Sequence, residues 1–361
     1  MNQPIRIGMD TSKRLFQLHG VDAGERVVLR RQLRRDHLLA FFAELPPALV
    51  ALEACGAAHD WARRLTALGH DVRLIAPQLA KPYVSRGKND AADAAALCEA
   101  ASRPRMRFVP VKSADEQAAL MLAGQRARLV RQRVQLANTI RGHAGEFGLV
   151  AAKGAAAIRP LLARLAEADI PDLARALFAE LEAEYADLCG YIAALETRLW
   201  AWSADSEPLQ CLRAIPGVGP LIAALLVMKT PDPHRFACAR DYAAWLGLTP
   251  RDHSTAGRQR LGCITRAGDP MLRSLLVVGA TAIVWRARRP AKAGAYGPEA
   301  GPHAALYGWV RALLARKPAK LVAVALANKL ARIAWVLLAR GQRYGERDRA
   351  AALTPPQTAT A

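Results

Sequence analysis

Gly87-Lys88-Asn89-Asp90-Ala91-Ala92-Asp93-Ala94-Ala95 is the stretch on which the reading of this chain turns. It opens an alanine-rich run with no Gly or Pro before Pro104, which predicts the start of a helix. On a helix, Asp90 and Asp93 lie on one face, one above the other. Adjacent anions repel unless a cation joins them, and oxygen donors favour a hard divalent metal. The plain alternative makes Asp90 a helix N-cap and Asp93 a first-turn acid facing the helix dipole. The residues before the stretch weigh between the two.

Working outward, Arg6–Asp10 is a short apolar run ending in an acid, and Leu15–Val21 and Arg26–Leu33 are two further β-like runs. Asp36–Leu45 has helical spacing and is closed by Pro46-Pro47. Ala48–Leu52 reads as a buried strand ending in Glu53, His59–Leu68 as a helix stopped by Gly69, and Asp71–Ile75 as a fifth strand. Three tightly linked strands predict a meander, and the later strand–helix units add parallel strands. The order is that of a ribonuclease-H-like α/β fold. Asp10 and Glu53 then end strands, and Asp90 and Asp93 sit on the helix after the fifth strand. Sites in open α/β sheets gather outside strand ends near a switch in strand order. Four carboxylates there could hold two metal ions that polarise a phosphodiester; the bland reading is four unrelated surface acids.

Lys and Arg total 51 against 31 Asp and Glu, a net charge of +20. Such an excess is the footprint of a polyanion binder. A GC-rich genome would explain Arg over Lys but not basic over acidic residues. No uninterrupted apolar run spans a bilayer and no signal peptide opens the chain, so no membrane partner is expected. The six cysteines contain no CxxC pair, which fits a reducing cytosol and neither a disulfide frame nor a zinc site.

After Pro110 the pattern turns helical. Residues 113–147 predict one long helix with Leu122, Leu129 and Leu136 spaced by seven and coated with arginine. A second runs from about Pro171 to Trp202, with the stripe Leu173, Leu177, Leu181, Tyr185, Leu188, Ile192, Leu195 and Leu199 and an acidic early half. A basic and an acidic helix suggest an antiparallel hairpin arm or a coiled coil between protomers; the plain alternative is an ordinary pair of packed helices. Leu212–Ala224 has the form of a helix-hairpin-helix, in which Gly217 and Gly219 permit tight turns and helix-start amides bind phosphate; the alternative is a plain turn. Asp241–Leu248 predicts a helix, Thr249–Gly262 a polar loop, and Met271–Ala287 an apolar helix. The loop carries Arg251, His253, Ser254, Thr255, Arg258 and Arg260, followed by Arg266, Asp269 and Arg273. A serine among arginines has the parts of a nucleophile beside a phosphate clamp.

Taken together, these motifs resemble the bridge-RNA-guided transposases of bacterial insertion sequences, insertion-sequence family 110 and its subgroup 1111. The likeness is carried by Gly8-Met9-Asp10, by Leu52-Glu53-Ala54-Cys55-Gly56 with His59, by Ala76-Pro77-Gln78 and by Lys88-Asn89-Asp90-Ala91-Ala92-Asp93-Ala94. It continues through Ile215-Pro216-Gly217-Val218-Gly219-Pro220, Leu246-Gly247-Leu248-Thr249-Pro250, Ser254-Thr255, Arg260-Leu261-Gly262 with Ile264-Thr265, and Gly268-Asp269 with Leu272-Arg273. It extends to about Tyr344. The resemblance implies a RuvC-like domain whose metal-binding acids are Asp10, Glu53, Asp90 and Asp93, and a C-terminal domain whose nucleophile is Ser254. It also implies Mg²⁺ or Mn²⁺, donor and target DNA, a structured guide RNA, and a homo-oligomer, dimer or tetramer, whose different protomers complete each site. One departure stands out: the family pattern Gly-Gly-Lys after Ser-Thr is here Ala256-Gly257-Arg258. Ala256 resists positive φ where Gly does not, and Arg258 keeps the charge with a bidentate fork.

The expectation is an α/β plus all-α chain. Residues 1–112 form the RuvC-like domain, 113–205 a helical coiled-coil arm, 206–345 a transposase domain with the helix-hairpin-helix-like motif, and 346–361 a disordered tail. Asp10, Glu53, Asp90 and Asp93 with metal, and Ser254, would cut and rejoin DNA in the bacterial cytoplasm, at the nucleoid. Lys88, Gly217, Gly219, Arg251, Arg258, Arg260, Arg266 and Arg273 would contact nucleic acid. Two other readings stay open: a junction resolvase using metal-activated water, and a non-catalytic nucleic-acid scaffold.

Overall fold

Apolar strand runs joined by tight polar turns build the first third of the chain. A computed structural model describes residues 3–84, 89–204, 206–230, 232–289 and 303–345. It divides into two compact units, Met1–Ala118 and Ala119–Ala361.

In the first unit the elements run β1 (Arg6–Thr11), β2 (Leu15–Val21), β3 (Val27–Arg34), α1 (Leu38–Ala43), β4 (Leu49–Glu53), α2 (Ala58–Ala67), β5 (Asp71–Ile75), α3 (Pro77–Ala80), α4 (Asp90–Ala101) and β6 (Phe108–Val109). The sheet order is β3-β2-β1-β4-β5-β6. β1, β2 and β3 form the expected antiparallel meander, and β4 and β5 join β1 in parallel. The sixth strand, antiparallel to β5, was not foreseen; two residues are too few to show a period. One face of the sheet buries Ile7, Met9, Phe16, Leu18, Val50 and Leu52 against α1 and α2, with Trp61 at the centre. α4 covers the other face, over Ala51 and Ile75. This mixed sheet with helices on both faces is consistent with the ribonuclease-H-like expectation.

The second unit is largely helical. Its elements are α5 (Ala114–Glu146, whose first turns belong to the first unit), α6 (Ile158–Glu167), α7 (Asp172–Ser203), α8 (Glu207–Arg213), α9 (Pro220–Lys229), α10 (Ala239–Trp245), β7 (Pro250–Asp252), β8 (Leu261–Ile264), α11 (Pro270–Arg288), α12 (Ala304–Leu314) and α13 (Ala319–Arg340). α5 and α7 run antiparallel: Arg126 pairs with Glu196 at 2.6 Å, and the Phe147 and Phe178 rings stack edge-on at 6.1 Å. Leu129 and Leu136 of the predicted stripe are buried here, as are Tyr185, Leu188, Ile192 and Leu199. Leu173 and Leu177 are not, at 74% and 50% exposed, because Phe178 takes the buried side of that turn.

α11 and α13 are long and apolar enough to cross a membrane by length and composition, although charged residues such as Arg273, Lys329 and Arg332 interrupt their apolar runs. Their apolar sides are core, with Leu272, Leu276, Leu326 and Leu330 fully buried. The predicted loop Thr249–Gly262 is instead a β-hairpin, with Pro250 paired to Ile264 and Asp252 to Leu261. Its strands bury nothing, so no apolar alternation announced them.

Candidate functional site: strand-end acids and an arginine-coated hairpin

Gly8 lets α4 lie directly on β1. A Cβ there would stand 2.0 Å from the Ala94 carbonyl oxygen and 2.5 Å from the Cys98 amide. Further down β1, Arg6 Nε donates to the Cys98 carbonyl at 2.8 Å. The helix therefore runs antiparallel to the strand: Cys98 lies over Arg6 and Ala94 over Gly8, so the first turn with Asp90 and Asp93 arrives at Asp10. Met9 of β1 is in register with Leu52 of the parallel β4, so Asp10 and Glu53 occupy the next rung at neighbouring strand ends. Thr11 Oγ1 and Cys55 Sγ, 3.6 Å apart, pin these two ends together.

Asn89 is the N-cap of α4, accepting from the Ala91 amide at 2.9 Å, and not Asp90. Capping by Asn89 leaves both aspartates free on the first turn. Asp10, Glu53 and Asp93 are half-buried and Asp90 is exposed. Burial, and then the charges of Asp90, Asp93 and Glu53, raise the Asp10 carboxyl above the ordinary carboxylate value. The acids are thus close enough to feel one another. Among the described residues, however, no three His, Cys, Asp or Glu side chains form a ready metal ligand set; like charges with no counter-charge between them have no reason to close up. The donor set fits a hard divalent cation: all oxygen and anionic. Lys88 lies outside the described residues.

His59 is buried on α2. Its Nδ1 accepts from the Lys112 amide at 3.2 Å, with the Lys112 ammonium 3.1 Å from Nε2. Burial first, then Lys112 and Arg63, push its pKa down to about 4. The ring is a neutral strut fastening the segment before α5 to α2.

In the second unit, Ser254 follows β7 on an entirely exposed ribbon. Its amide donates to Asp252 Oδ1 at 2.8 Å, and its Oγ accepts from the Arg260 amide at 2.9 Å. Hydrogen bonds from the Ser254 hydroxyl and amide hold the Asp252 carboxyl below its usual range. Asp252 was not among the predicted residues, though Asp-x-Ser is a legible Asx-turn signature. Arg258 donates its amide to Thr255 across the turn at 3.0 Å, where Ala256 has φ +48° and Gly257 φ +78°. Ala256 therefore adopts the left-handed conformation that its side chain resists. Arg251, Arg258, Arg260 and Arg266 are all exposed. Arg273 is engaged within the fold, donating to the carbonyls of Ala267 at 2.7 Å and Leu246 at 3.1 Å.

Gly217, φ +76°, seats the turn between α8 and α9 on α11, and a Cβ there would lie 2.8 Å from the Gly279 carbonyl oxygen. Gly219 is exposed and opens α9 ahead of Pro220, which has no amide to offer a phosphate. Packing accounts for Gly217, and only amides beyond Pro220 are left for an anion.

Residues 7–147 match a family model for transposases with a DEDD domain of the IS110 type, and residues 209–296 match one described as Transposase IS116/IS110/IS902 family. The chain is similar to "Putative transposase y4pF/y4sB" of Sinorhizobium fredii, with 57% identity over 96% of this chain and 87% of that one. It is similar to the transposase for insertion sequence element IS1328 of Yersinia enterocolitica, with 39% identity over 94% of this chain and 98% of that one. With the transposase for insertion sequence element IS1111A of Coxiella burnetii it shares 36% identity over 94% of this chain and 90% of that one.

Proposed function

The chain belongs to the IS116/IS110/IS902 family of insertion-sequence transposases, and from that premise we propose that Asp10, Glu53, Asp90 and Asp93 form its metal site and that Ser254 is its nucleophile. Members of the family catalyse DNA cleavage and transfer, and a DEDD domain points to divalent-metal dependence. The observation that carries the reading is the register that sets Asp10 and Glu53 on adjoining strand ends below the first turn of α4. Bound there, Mg²⁺ or Mn²⁺ supplies Lewis-acid polarisation of the scissile phosphodiester. Asp10 and Glu53 hold their carboxylates on rigid strand ends, and Asp90 and Asp93 add theirs from the helix. Ser254 Oγ attacks the phosphorus and gives up its proton to solvent; the bond from phosphorus to one deoxyribose oxygen breaks, that strand end leaves as a free hydroxyl, and a transient phosphoserine link remains. Asp252 orients that hydroxyl; its carboxyl, held low, is a weak proton acceptor. Arg251, Arg258, Arg260 and Arg266 grip the DNA backbone from the exposed ribbon.

The same reading includes a structured guide RNA, a homo-oligomer, phosphate contacts at the turn around Gly217 and Gly219, and the division into residues 1–112, 113–205 and 206–345. The net charge of +20 supports the nucleic-acid partners.

The test traps reactions with denaturant and looks for labelled DNA migrating with protein. Ser254→Ala should remove both adduct and recombination while sparing DNA binding, and Thr255→Ala should be much milder. An adduct that survives Ser254→Ala moves the nucleophile, with Thr255 the first suspect. Cleavage by Ser254→Ala, with no adduct even in the parent, makes the enzyme a water-using nuclease.

A further inference from the structure

β3 is an edge strand, and its register ties it to the acid site. Asp10 pairs with Gln17 and Gln17 with Gln32; one rung away, Gly8 pairs with His19 and His19 with Arg30; on the other side, Leu15 pairs with Arg34. Residues directly opposite one another in a sheet point to the same face. Gly8 faces α4, so His19 and Arg30 share that face, and two-residue periodicity adds Asp10, Gln17, Gln32 and Arg34. Over β3 this face is uncovered. Arg30, Gln32 and Arg34 are exposed, and so are its apolar members Leu15 at 43% and Val28 at 37%.

The arginines on the opposite face have intramolecular roles: Arg31 stacks on Phe41, and Arg35 on Trp61. Among the described residues, the ion pairs of this unit engage Arg6, Arg26, Arg63, Arg64, Arg73 and Arg103, and neither Arg30 nor Arg34. These two guanidinium groups, with no ion pair among the described residues, stand about 13 Å apart along the strand on either side of the Gln32 amide, and the row leads across β2 to Asp10, about 10 Å from Gln32 at the usual strand spacing.

We propose that Arg30, Gln32 and Arg34, continued by Gln17 and His19, form a track that binds the phosphate backbone of the DNA strand entering the acid site. Guanidinium forks match phosphate oxygens bidentately, and the glutamines add neutral donors that read no sequence. The proposal rests on Asp10 belonging to the reacting site. The competing explanation is that edge arginines merely block strand pairing with another copy.

The experiment measures the binding of the full chain to duplex DNA over a range of salt concentrations, without divalent metal. Arg30→Ala/Arg34→Ala should make the log–log slope shallower by about 1.8, the loss of two phosphate contacts on duplex DNA, and Arg30→Lys/Arg34→Lys should restore it. An unchanged slope overturns the track, as does a change seen with RNA alone. An unchanged slope together with new self-association identifies edge protection instead. Cleavage by Asp10→Ala is scored separately: if it persists while the slope still falls, the acid site fails and the DNA contact of β3 stands.

Discussion

At Ala256 the chain accepts a φ of +48° that alanine disfavours, while Gly257 beside it turns freely. The left-handed region costs an L-residue about 1–2 kcal/mol. Ala256→Gly should stabilise the hairpin by about 1 kcal/mol and slow amide exchange at Arg258 and Arg260; equal or faster exchange would show that the turn bears no strain. A second residue-scale effect belongs to His59. Its pKa of about 4 lies below the ordinary 6.5, so the unfolded chain binds the proton first as pH falls. The stability it lends is whole above pH 6.5 and drains between 6.5 and about 4. His59→Asn, which keeps an acceptor for the Lys112 amide, should flatten denaturant midpoints over that window; an unchanged slope would remove His59 as its source. At this scale the sequence disclosed the candidate residues but not their partners. Taken alone, the stretch favours Asp90 as a cap; in the structure Asn89 takes that role. Arg273 looked like a phosphate ligand, yet its guanidinium sits on backbone carbonyls 27 and 6 residues away along the chain.

Elements were legible where burial imposes a period. β2 and β5 match their predicted spans, and α5 and α7 differ from theirs by a residue or so at each end, because alternation or a three-four stripe marks a face that must be buried. β7 and β8 were not, since a ribbon exposed on both faces has no period to show. The contact that makes the acid site is also at this scale. Gly8→Ala places a methyl 2.0 Å from a backbone oxygen of α4, and neither backbone can yield without moving the helix. The variant should lose about 1–3 kcal/mol of stability and most of its DNA cleavage. A Gly8→Ala protein as stable and as active as the parent would separate the register of α4 from function.

For the whole molecule, charge decides the partner. A net +20 should make DNA affinity fall steeply with salt as neutralised phosphates release counterions, and a flat log–log plot would remove electrostatics as the basis of binding. The acids must work against that basic background. Burial first, and then the charges of Asp90, Asp93 and Glu53, raise the Asp10 carboxyl; like charges gathered there repel one another, so deleting one should not weaken the fold. The most direct test therefore compares Mg²⁺-dependent DNA strand cleavage by the parent and by Asp10→Ala, Glu53→Ala, Asp90→Ala and Asp93→Ala, with thermal stability and DNA binding measured on the same preparations. Each variant should fold and bind DNA as the parent does and should cleave more slowly by about a hundredfold or more, the upper end of what removing even a group that only supports a metal ligand costs; near-parental cleavage by Asp90→Ala would contradict the metal site.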